Sequence, residues 1–454
     1  MESFLTTISL ALSVILFAIG FLISLWWIWV PWLFFVLALD LWLKWRRTIF
    51  IDKLDWVLLE ILPPKNVKKT ARAMEQFFAG LHGIQTGATL KDKYWEGKVH
   101  TWASMEMVSF GGEIRFLIRI ESKFRNMVES HIYGQYPEAE IRLASDYVHA
   151  FPEDVPNEEY TFWGTEYITL KEDAYPIRTF LDFEKDIVME EQRIDPLSSL
   201  FEIMGKISSN EQIWIQTLVR PVGDQWKDAG IAVRDKLLGR KVVKKQGLIK
   251  KETIAWKDAS KMVGYRLVAG GELALNKDEA KDKEVKLSPG EQEVLKAIER
   301  NISKLGFETV IRFIYLGKKE VFNKAGVRNA VNGAYKQFSD QVLNGLKSNG
   351  KISPDIDYVV QIKGPRELYR AKRVLNDYKK RNFTCPSKYI FYMKQLFIDR
   401  LPILKWFLNR TQPFVFNIEE LASVYHFPTE PVKAPLIPKV EARKAEPPIG
   451  LPTG

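Results

Sequence analysis

Residues 102–120, WASMEMVSFGGEIRFLIRI, decide the fold of this 454-residue chain. They form two runs rich in strand-forming residues, separated by the pair Gly111-Gly112, which is typical of a tight hairpin turn. The second run alternates between apolar and charged side chains, as expected for a strand with one face in a core. Its apolar side chains are Ile114, Phe116, Ile118 and Ile120, and its charged ones are Glu113, Arg115 and Arg119.

The sequence around this hairpin predicts a ferredoxin-like βαββαβ unit over residues 50–150. Residues 56–62 are a strand pattern that ends at two prolines, and residues 70–81 have the apolar spacing of a helix. After the hairpin, residues 124–135 predict a second helix and residues 139–147 a fourth strand. The order strand, helix, two strands, helix, strand defines this α+β class.

The N-terminal stretch predicts a membrane anchor over residues 1–47. Residues 4–43 contain no Lys or Arg, and their one acidic residue is Asp40. As a single helix this stretch would be about 60 Å long, roughly twice the hydrocarbon core of a bilayer. We therefore expect a transmembrane helical hairpin. One span followed by an interfacial helix stays open as an alternative, because the second span would have only about 14–16 residues. The length of the apolar run disfavours a cleaved signal peptide.

Aromatic and basic side chains flank the apolar stretch, as they do at membrane interfaces. By the positive-inside rule, the bases that follow it predict that the bulk of the chain is cytoplasmic, at the inner face of the cell membrane. The predicted interface residues are Trp26, Trp27, Trp29, Trp32, Trp42, Trp45, Lys44, Arg46 and Arg47.

Residues 160–425 predict a second α+β domain. Helix starts are indicated at Asp195-Pro196 and at the capping box that begins with Ser288, and strands at 211–220 and 307–316. We expect two αβα halves separated by a charged insertion at residues 239–288. The proline-rich stretch 428–454 predicts an extended tail without a core of its own.

The charge balance is basic, at +10 for the whole chain. Two segments, 240–251 and 363–381, concentrate Lys and Arg, and each suits either anionic lipid headgroups or a nucleic-acid backbone. A solvated surface is the alternative for both. The candidate contact residues are Lys244, Lys245, Lys250, Lys251, Arg370, Lys372, Arg373, Lys379, Lys380 and Arg381.

No catalytic constellation emerges from the sequence. Residues 345–351 have the Gly and Lys spacing of a phosphate-binding loop, but Ile352 occupies the position where Ser or Thr would hold magnesium. The single cysteine, Cys385, excludes an intrachain disulfide, and the five histidines show no metal-ligand spacing. We therefore expect a protein without catalytic residues, cofactor or metal, in which binding or scaffolding is the function.

Residues 413–428, PFVFNIEELASVYHFP, together with PPIGLP at 447–452, resemble a known pattern. The resemblance is to the stretch that precedes the ATPase domain in membrane-bound conjugative-transfer ATPases of the HerA/FtsK superfamily, which include the coupling proteins of type IV secretion. Residues 73–83 and 110–137 are similar to the membrane-proximal region of the same proteins. In that family an ATPase domain follows the proline-rich tail, whereas this chain ends at Gly454.

The resemblance implies a membrane-anchored, non-catalytic platform subunit of a type IV secretion-like or conjugative DNA-transfer system, which recruits a separately encoded ATPase. Membrane lipid is a second expected partner, and DNA and further copies of the chain are other candidates. The alternative is a membrane-tethered nucleic-acid-binding protein acting through 240–251 and 363–381. The segment 413–428 predicts an apolar strand followed by a helix, which would either meet the ATPase or form the last strand and helix of the second domain, and both can hold. The residues expected to dock the ATPase are Phe414, Phe416, Asn417, Glu419, Glu420, Leu421, His426, Phe427, Pro428, Pro447, Pro448, Leu451 and Pro452.

Overall fold

A computed structural model describes residues 20, 24–64, 70–87, 89, 91–152, 155–184, 195–240, 287–355, 363–383 and 412–428. The strands are β1 (Trp56–Leu62), β2 (Ala103–Phe110), β3 (Glu113–Glu121), β4 (Glu140–Leu143), β5 (Tyr160–Thr169), β6 (Glu211–Pro221), β7 (Gly306–Lys318), β8 (Leu346–Ser348) and β9 (Phe414–Asn417). The α-helices are α1 (Trp26–Asp52), α2 (Arg72–Leu81), α3 (Arg125–Gln135), α4 (Phe180–Glu184), α5 (Ser198–Gly205), α6 (Gln225–Leu237), α7 (Pro289–Ser303), α8 (Lys324–Lys336), α9 (Lys363–Lys380) and α10 (Ile418–Val424).

The nine strands within the described ranges belong to one antiparallel sheet with the spatial order β4-β1-β3-β2-β6-β7-β5-β8, and β9 pairs with β7 outside this path. The α+β class predicted from the sequence is confirmed.

The first half of the sheet shows the predicted βαββαβ order. Strands β1 to β4 alternate with α2 and α3 as expected, and they lie in the order β4-β1-β3-β2. In the central hairpin Phe110 pairs with Glu113. Gly111 and Gly112 make the turn with φ of 58° and 95°, a backbone region that favours glycine. The predicted apolar face of β3 lies in the main core.

The second half repeats the first. Strands β5, β6, β7 and β8, with α5 after β5 and α8 after β7, lie in the order β8-β5-β7-β6, which is the order of the first half. This differs from the two αβα halves expected from the sequence. The expected pattern missed β5, because its six central residues are buried and it therefore shows no polar and apolar alternation.

The two halves join through their equivalent second strands. Strand β2 pairs with β6 along its whole length, from Ala103 with Val219 to Phe110 with Gln212. The sheet thus continues across the boundary that the sequence placed between residues 150 and 160.

Helices cover both faces of the sheet. On one face α2, α3, α5, α8 and α10 contribute to the main core, which includes Phe77, Ile118, Phe201, Phe313 and Tyr335. On the other face Val374, Leu375 and Tyr378 of α9 belong to a second core cluster, in which the Tyr378 ring lies 5.5 Å from the Trp214 ring.

Helix α1 leaves the body at the N-terminal side. It runs from Trp26 to Asp52, and Pro31 lies inside the helix. Its last turn packs through Ile51 beside Trp102, Leu218 and Val310. Most of the expected first span lies outside the described residues. Among the helices that the structure does describe, none combines the length and apolar character needed to cross a membrane, so the expected hairpin gains no support.

Candidate functional site

The C-terminal segment, residues 412–428, completes the fold. Strand β9 pairs with β7 through Phe414–Asn417 against Gly306–Thr309. Strand β5 pairs with the other end of β7, from Arg312 to Lys318. Strands β5 and β9 therefore pair with different parts of β7. Helix α10 follows at once and packs in the main core beside α2. The segment is therefore part of the body rather than an appendage.

Asn417 fixes the junction between β9 and α10. Its side-chain oxygen accepts hydrogen bonds from the backbone N–H groups of Glu419 (2.8 Å) and Glu420 (2.9 Å). The Glu420 carboxylate in turn accepts from the N–H of Asn417 at 2.9 Å, which completes a capping box. Such a box satisfies helix donors that would otherwise be buried without partners.

Glu420 also holds a loop of the second half of the sheet. Its other carboxyl oxygen accepts a hydrogen bond from the backbone N–H of Ile177 at 2.9 Å. Burial raises the pKa of Glu420 to about 8, although the two backbone hydrogen bonds oppose this shift. The nearby carboxyl of Asp173 shows the same effect, since burial raises its pKa to about 6.

Glu419 is the centre of a charge cluster. One carboxyl oxygen lies 2.5 Å from the Lys304 ammonium and 3.0 Å from the Arg300 guanidinium. The other accepts a hydrogen bond from the Thr179 hydroxyl at 2.5 Å. Lys304 also pairs with Glu75 of α2 at 2.5 Å. The cluster ties α10 to helices from both halves of the sheet.

His426 and Phe427 anchor the end of the segment. The His426 Nδ1 donates to the Ala422 carbonyl at 2.8 Å, and its Nε2 lies 2.9 Å from the Asp195 carboxylate. The Phe427 ring packs edge-on against Phe116 at 5.2 Å and Tyr136 at 5.0 Å. The point from which the proline-rich stretch continues is therefore fixed on the body.

These contacts correct the expectation that the segment presents its side chains to a partner. An ATPase cannot reach side chains that already pack inside this chain. The following predicted docking residues are all buried: Phe414, Phe416, Asn417, Glu419, Glu420, Leu421, His426, Phe427 and Pro428. The remaining four, Pro447, Pro448, Leu451 and Pro452, lie outside the described residues.

An open cavity of about 620 Å³ lies beside Glu419, between α7, the segment 176–182 that leads into α4, and the loop at 340–343. Its lining carries charges of both signs. Because Arg300 is already paired with Glu419, the cavity lacks the concentrated positive charge of an anion site.

The basic residues of α9 differ in their exposure and in their partners. Lys372 and Lys380 are exposed. Arg370 donates to the Ser353 carbonyl at 3.2 Å, and Lys379 to the Phe151 carbonyl at 3.4 Å. Arg373 lies 3.9 Å from Asp377. The four candidates Lys244, Lys245, Lys250 and Lys251 lie outside the described residues.

Arg381 is fully buried, which overturns its assignment as a lipid or nucleic-acid contact. Its guanidinium pairs with Glu106 of β2 at 2.6 Å and with Asp146 at 2.7 Å. Burial by itself would lower the pKa of Arg381, but the charge of Glu106 and the hydrogen bonds that Arg381 donates to Glu106 and Asp146 raise it. The backbone of Arg381 has φ of 50°, the left-handed conformation that ends α9. The residue therefore locks the end of α9 onto the sheet.

This pair is one end of a buried polar row across four strands. Glu106 stands opposite Gln216 of β6, which stands opposite Arg312 of β7, which stands opposite Glu166 of β5. Gln216 donates to Glu106 at 3.2 Å and accepts from Arg312 at 3.0 Å, and Arg312 pairs with Glu166 at 2.8 Å. Every charge in the row has a partner, which is typical of a structural network.

The predicted interface residues at the end of α1 meet a second segment of the body. Trp42 lies 5.3 Å from Trp45 and 6.5 Å from Trp95, measured between ring centroids, and the Arg46 guanidinium lies 5.8 Å from the Trp42 ring. We call Trp42, Trp45, Tyr94 and Trp95 the aromatic collar. Further along α1, Trp26, Trp27 and Trp32 are also exposed, as is Lys44; Arg46 and Arg47 are half-buried, and nothing is described of the Trp29 side chain.

Residues 345–351 form the short edge strand β8 and a turn, which is not the strand-to-helix turn that a phosphate-binding loop requires. Within the described ranges there is no group of three or more His, Cys, Asp or Glu side chains that could hold a metal ion.

The body with this doubled antiparallel sheet is a member of a family that has no assigned function. Residues 51–437 match a family described as a domain of unknown function, DUF8128. The match covers most of the chain, and the chain therefore belongs to that family. No curated protein matches it.

Proposed function

We propose that the protein is a membrane-anchored, non-catalytic platform subunit of a type IV secretion-like or conjugative DNA-transfer system. In this proposal a separately encoded ATPase of the HerA/FtsK type binds to the platform. The system is suggested by the resemblance of residues 413–428 and 447–452 to the region that precedes the ATPase domain in such proteins. The two stretches would act differently, because residues 413–428 pack inside the body.

The observation that carries the platform role is the burial of residues 414–428. Strand β9 and helix α10 form part of the core, and Phe427 is held between rings of the first half of the sheet. The proline-rich stretch therefore starts from a fixed point on a rigid body. Proline-rich segments lose little conformational entropy on binding, because they are already extended. We therefore assign the docking role to Pro447, Pro448, Leu451 and Pro452.

The anchor role is supported by α1. Its exposed side chains include Trp26, Trp32, Phe34 and Phe35, each more than half exposed. A helix that presents several large apolar side chains to its surroundings suits lipid rather than water. Because its last turn packs on the sheet near Trp102, the helix would hold the body close to the membrane surface.

The test is a truncation after Pro428 in the full-length, affinity-tagged protein, expressed in its own host. A Walker-motif ATPase should co-purify with the intact chain and be lost with the truncated one. The purified ATPase should then rebind the intact chain alone. Truncation before β9 would be uninformative, since it removes part of the core. If the ATPase stays bound without residues 429–454, the docking role of the tail is wrong.

Nucleic-acid binding is the competing proposal, and one observation favours it. The outer side of α9 exposes Lys372 and Lys380 together with the Tyr369 ring, which is 58% exposed. Cations beside an aromatic ring suit a nucleic-acid strand. The double variant Lys372→Glu/Lys380→Glu should then reduce DNA retention at low salt, and retention should fall with added salt. Equal retention by the variant and the parent would remove this function from α9.

A further inference from the structure

Residues 91–98 form a compact projection beside the last turns of α1. Asp92–Glu96 make a single π-helical turn, and Gly97 follows in a left-handed conformation with φ of 75°. The turn places Trp95, which is 66% exposed, and Tyr94, which is 43% exposed, on the outside of the body. Exposed Trp of this kind is unusual on a water-facing surface, because the ring is the largest apolar side chain.

The projection is built to lie against α1. A Cβ atom at Gly97 would come within 2.5 Å of the Arg46 backbone carbon, so only glycine allows this approach. Arg46 donates from its Nε to the Trp95 carbonyl at 2.8 Å. The Asp92 carboxylate accepts a hydrogen bond from the backbone N–H of Thr89, and the backbone N–H of Asp92 donates to the Thr89 hydroxyl. The Asp92 carboxylate also lies 3.9 Å from the Lys98 ammonium. These contacts fix Trp95 beside Trp42 and Trp45.

The aromatic collar has the chemistry of a lipid interface. Trp and Tyr concentrate where hydrocarbon meets headgroups, because one part of each side chain is apolar and the other forms hydrogen bonds. The same two segments carry cations, with Lys44, Arg46 and Arg47 on α1 and Lys91 and Lys98 on the projection. The Arg46 guanidinium lies 5.8 Å from the Trp42 ring and 6.0 Å from the Trp45 ring, and cations are attracted to anionic headgroups. Asp92 offsets the charge of Lys98.

We propose that residues 91–98 are a second membrane-contacting element, which binds the headgroup region of a phospholipid bilayer. This inference rests on the membrane anchoring in the proposed function and adds that the body touches the bilayer with its own aromatic side chains. The choice of lipid follows from continuity, since the collar extends the exposed apolar surface of α1 that includes Phe35 and Leu41. Two contacts at different points fix the tilt of the body relative to the membrane.

The test places a fluorophore on the collar of the full chain. In a Cys385→Ser background, which contains no other cysteine, Trp95→Cys is labelled with an environment-sensitive dye. The matched control is Lys347→Cys, an exposed position on the edge strand β8. Both are reconstituted into vesicles of phosphatidylcholine and phosphatidylglycerol that carry nitroxide-labelled lipids. We expect severalfold stronger nitroxide quenching and a blue-shifted emission at position 95, with neither change at 347.

Flotation of the same vesicles separates the two proposals. If the chain floats with the vesicles but the dye at position 95 stays unquenched, the anchor holds and the collar does not touch lipid. If the chain does not float, both the anchor and this inference are wrong. Equal quenching at positions 95 and 347 would also overturn the inference, because it would reflect non-specific adsorption.

Discussion

At the scale of single residues, Arg381 is a buried cation that pairs with two carboxylates, Glu106 and Asp146. Replacing it by Met removes the charge but keeps much of the side-chain volume, and it leaves Glu106 buried without its cation. Removing one partner of a buried ion pair typically costs about 3–5 kcal/mol. We expect Arg381→Met to lower the free energy of unfolding by that amount, measured by denaturant titration of the full chain in detergent.

The neighbouring Lys380 provides the control for this substitution. Lys380→Met changes the same charge on an exposed position of α9 and should cost less than about 0.5 kcal/mol. The double variant Arg381→Met/Glu106→Gln should recover part of the loss, because the unpaired carboxylate is gone. If Arg381→Met and Lys380→Met are equally stable, the ion pair contributes no stability.

Glu420 predicts a pH dependence. Burial raises its pKa to about 8 in the folded protein, against a usual value of 4.5. The unfolded chain therefore releases this proton first, and the contribution of Glu420 to stability is complete below about pH 4.5 and falls as the pH rises to 8. The melting temperature of the parent protein should therefore fall relative to that of Glu420→Gln between pH 5 and pH 8.

The exposed Glu293→Gln on α7 controls for the change of Glu to Gln itself. Its melting temperature should follow that of the parent protein at every pH. A difference between parent and Glu420→Gln that is constant from pH 5 to pH 8 would contradict a raised pKa for Glu420.

At the scale of elements, Gly97 decides whether the projection lies against α1. In Gly97→Ala the new methyl group meets the Arg46 backbone, and the positive φ disfavours any side chain. We expect faster hydrogen exchange in residues 91–98 and in the last turns of α1, with the rest of the sheet unchanged. Gly87→Ala is the matched control, because a Cβ there meets nothing within 4 Å. Unchanged exchange in Gly97→Ala would show that the close approach is not needed.

The elements that the sequence predicts well are those with a clear period. The hairpin β2–β3 and the helix α2 follow from alternation and from helical spacing, and both lie in the predicted places. Strand β5 was missed because both of its faces are buried. The sequence of 413–428 predicts the strand and the helix but cannot decide between a partner surface and the core of the second domain, since apolar side chains suit both; the structure buries them in the core. The burial of Arg381 could not be predicted from the sequence either, because its partner Glu106 is 275 residues away.

At the scale of the whole molecule, the two halves of the sheet should unfold as one unit. Phe116 of the first half contacts Phe201 of the second at 5.8 Å and Phe427 of the C-terminal segment at 5.2 Å. We expect Phe116→Ala to cost about 3–5 kcal/mol and to shift a single transition. Hydrogen exchange followed by mass spectrometry should show the loss equally in β3 and in β7.

Leu143→Ala is the control, because this β4 side chain is 61% exposed and its loss leaves no cavity. Two separate transitions, with only the first half shifted by Phe116→Ala, would show that the halves fold independently and that the β2–β6 pairing is a docked interface.

The ends of the doubled sheet carry a last consequence. Its outermost strands are short, with four residues in β4 and three in β8, and they expose charged side chains such as Arg142 and Lys347. Long, flat and apolar edges recruit strands from other copies, whereas short charged ones resist this pairing. Many copies can therefore crowd together at high local concentration without fusing into fibrils, and each sheet keeps its finite width.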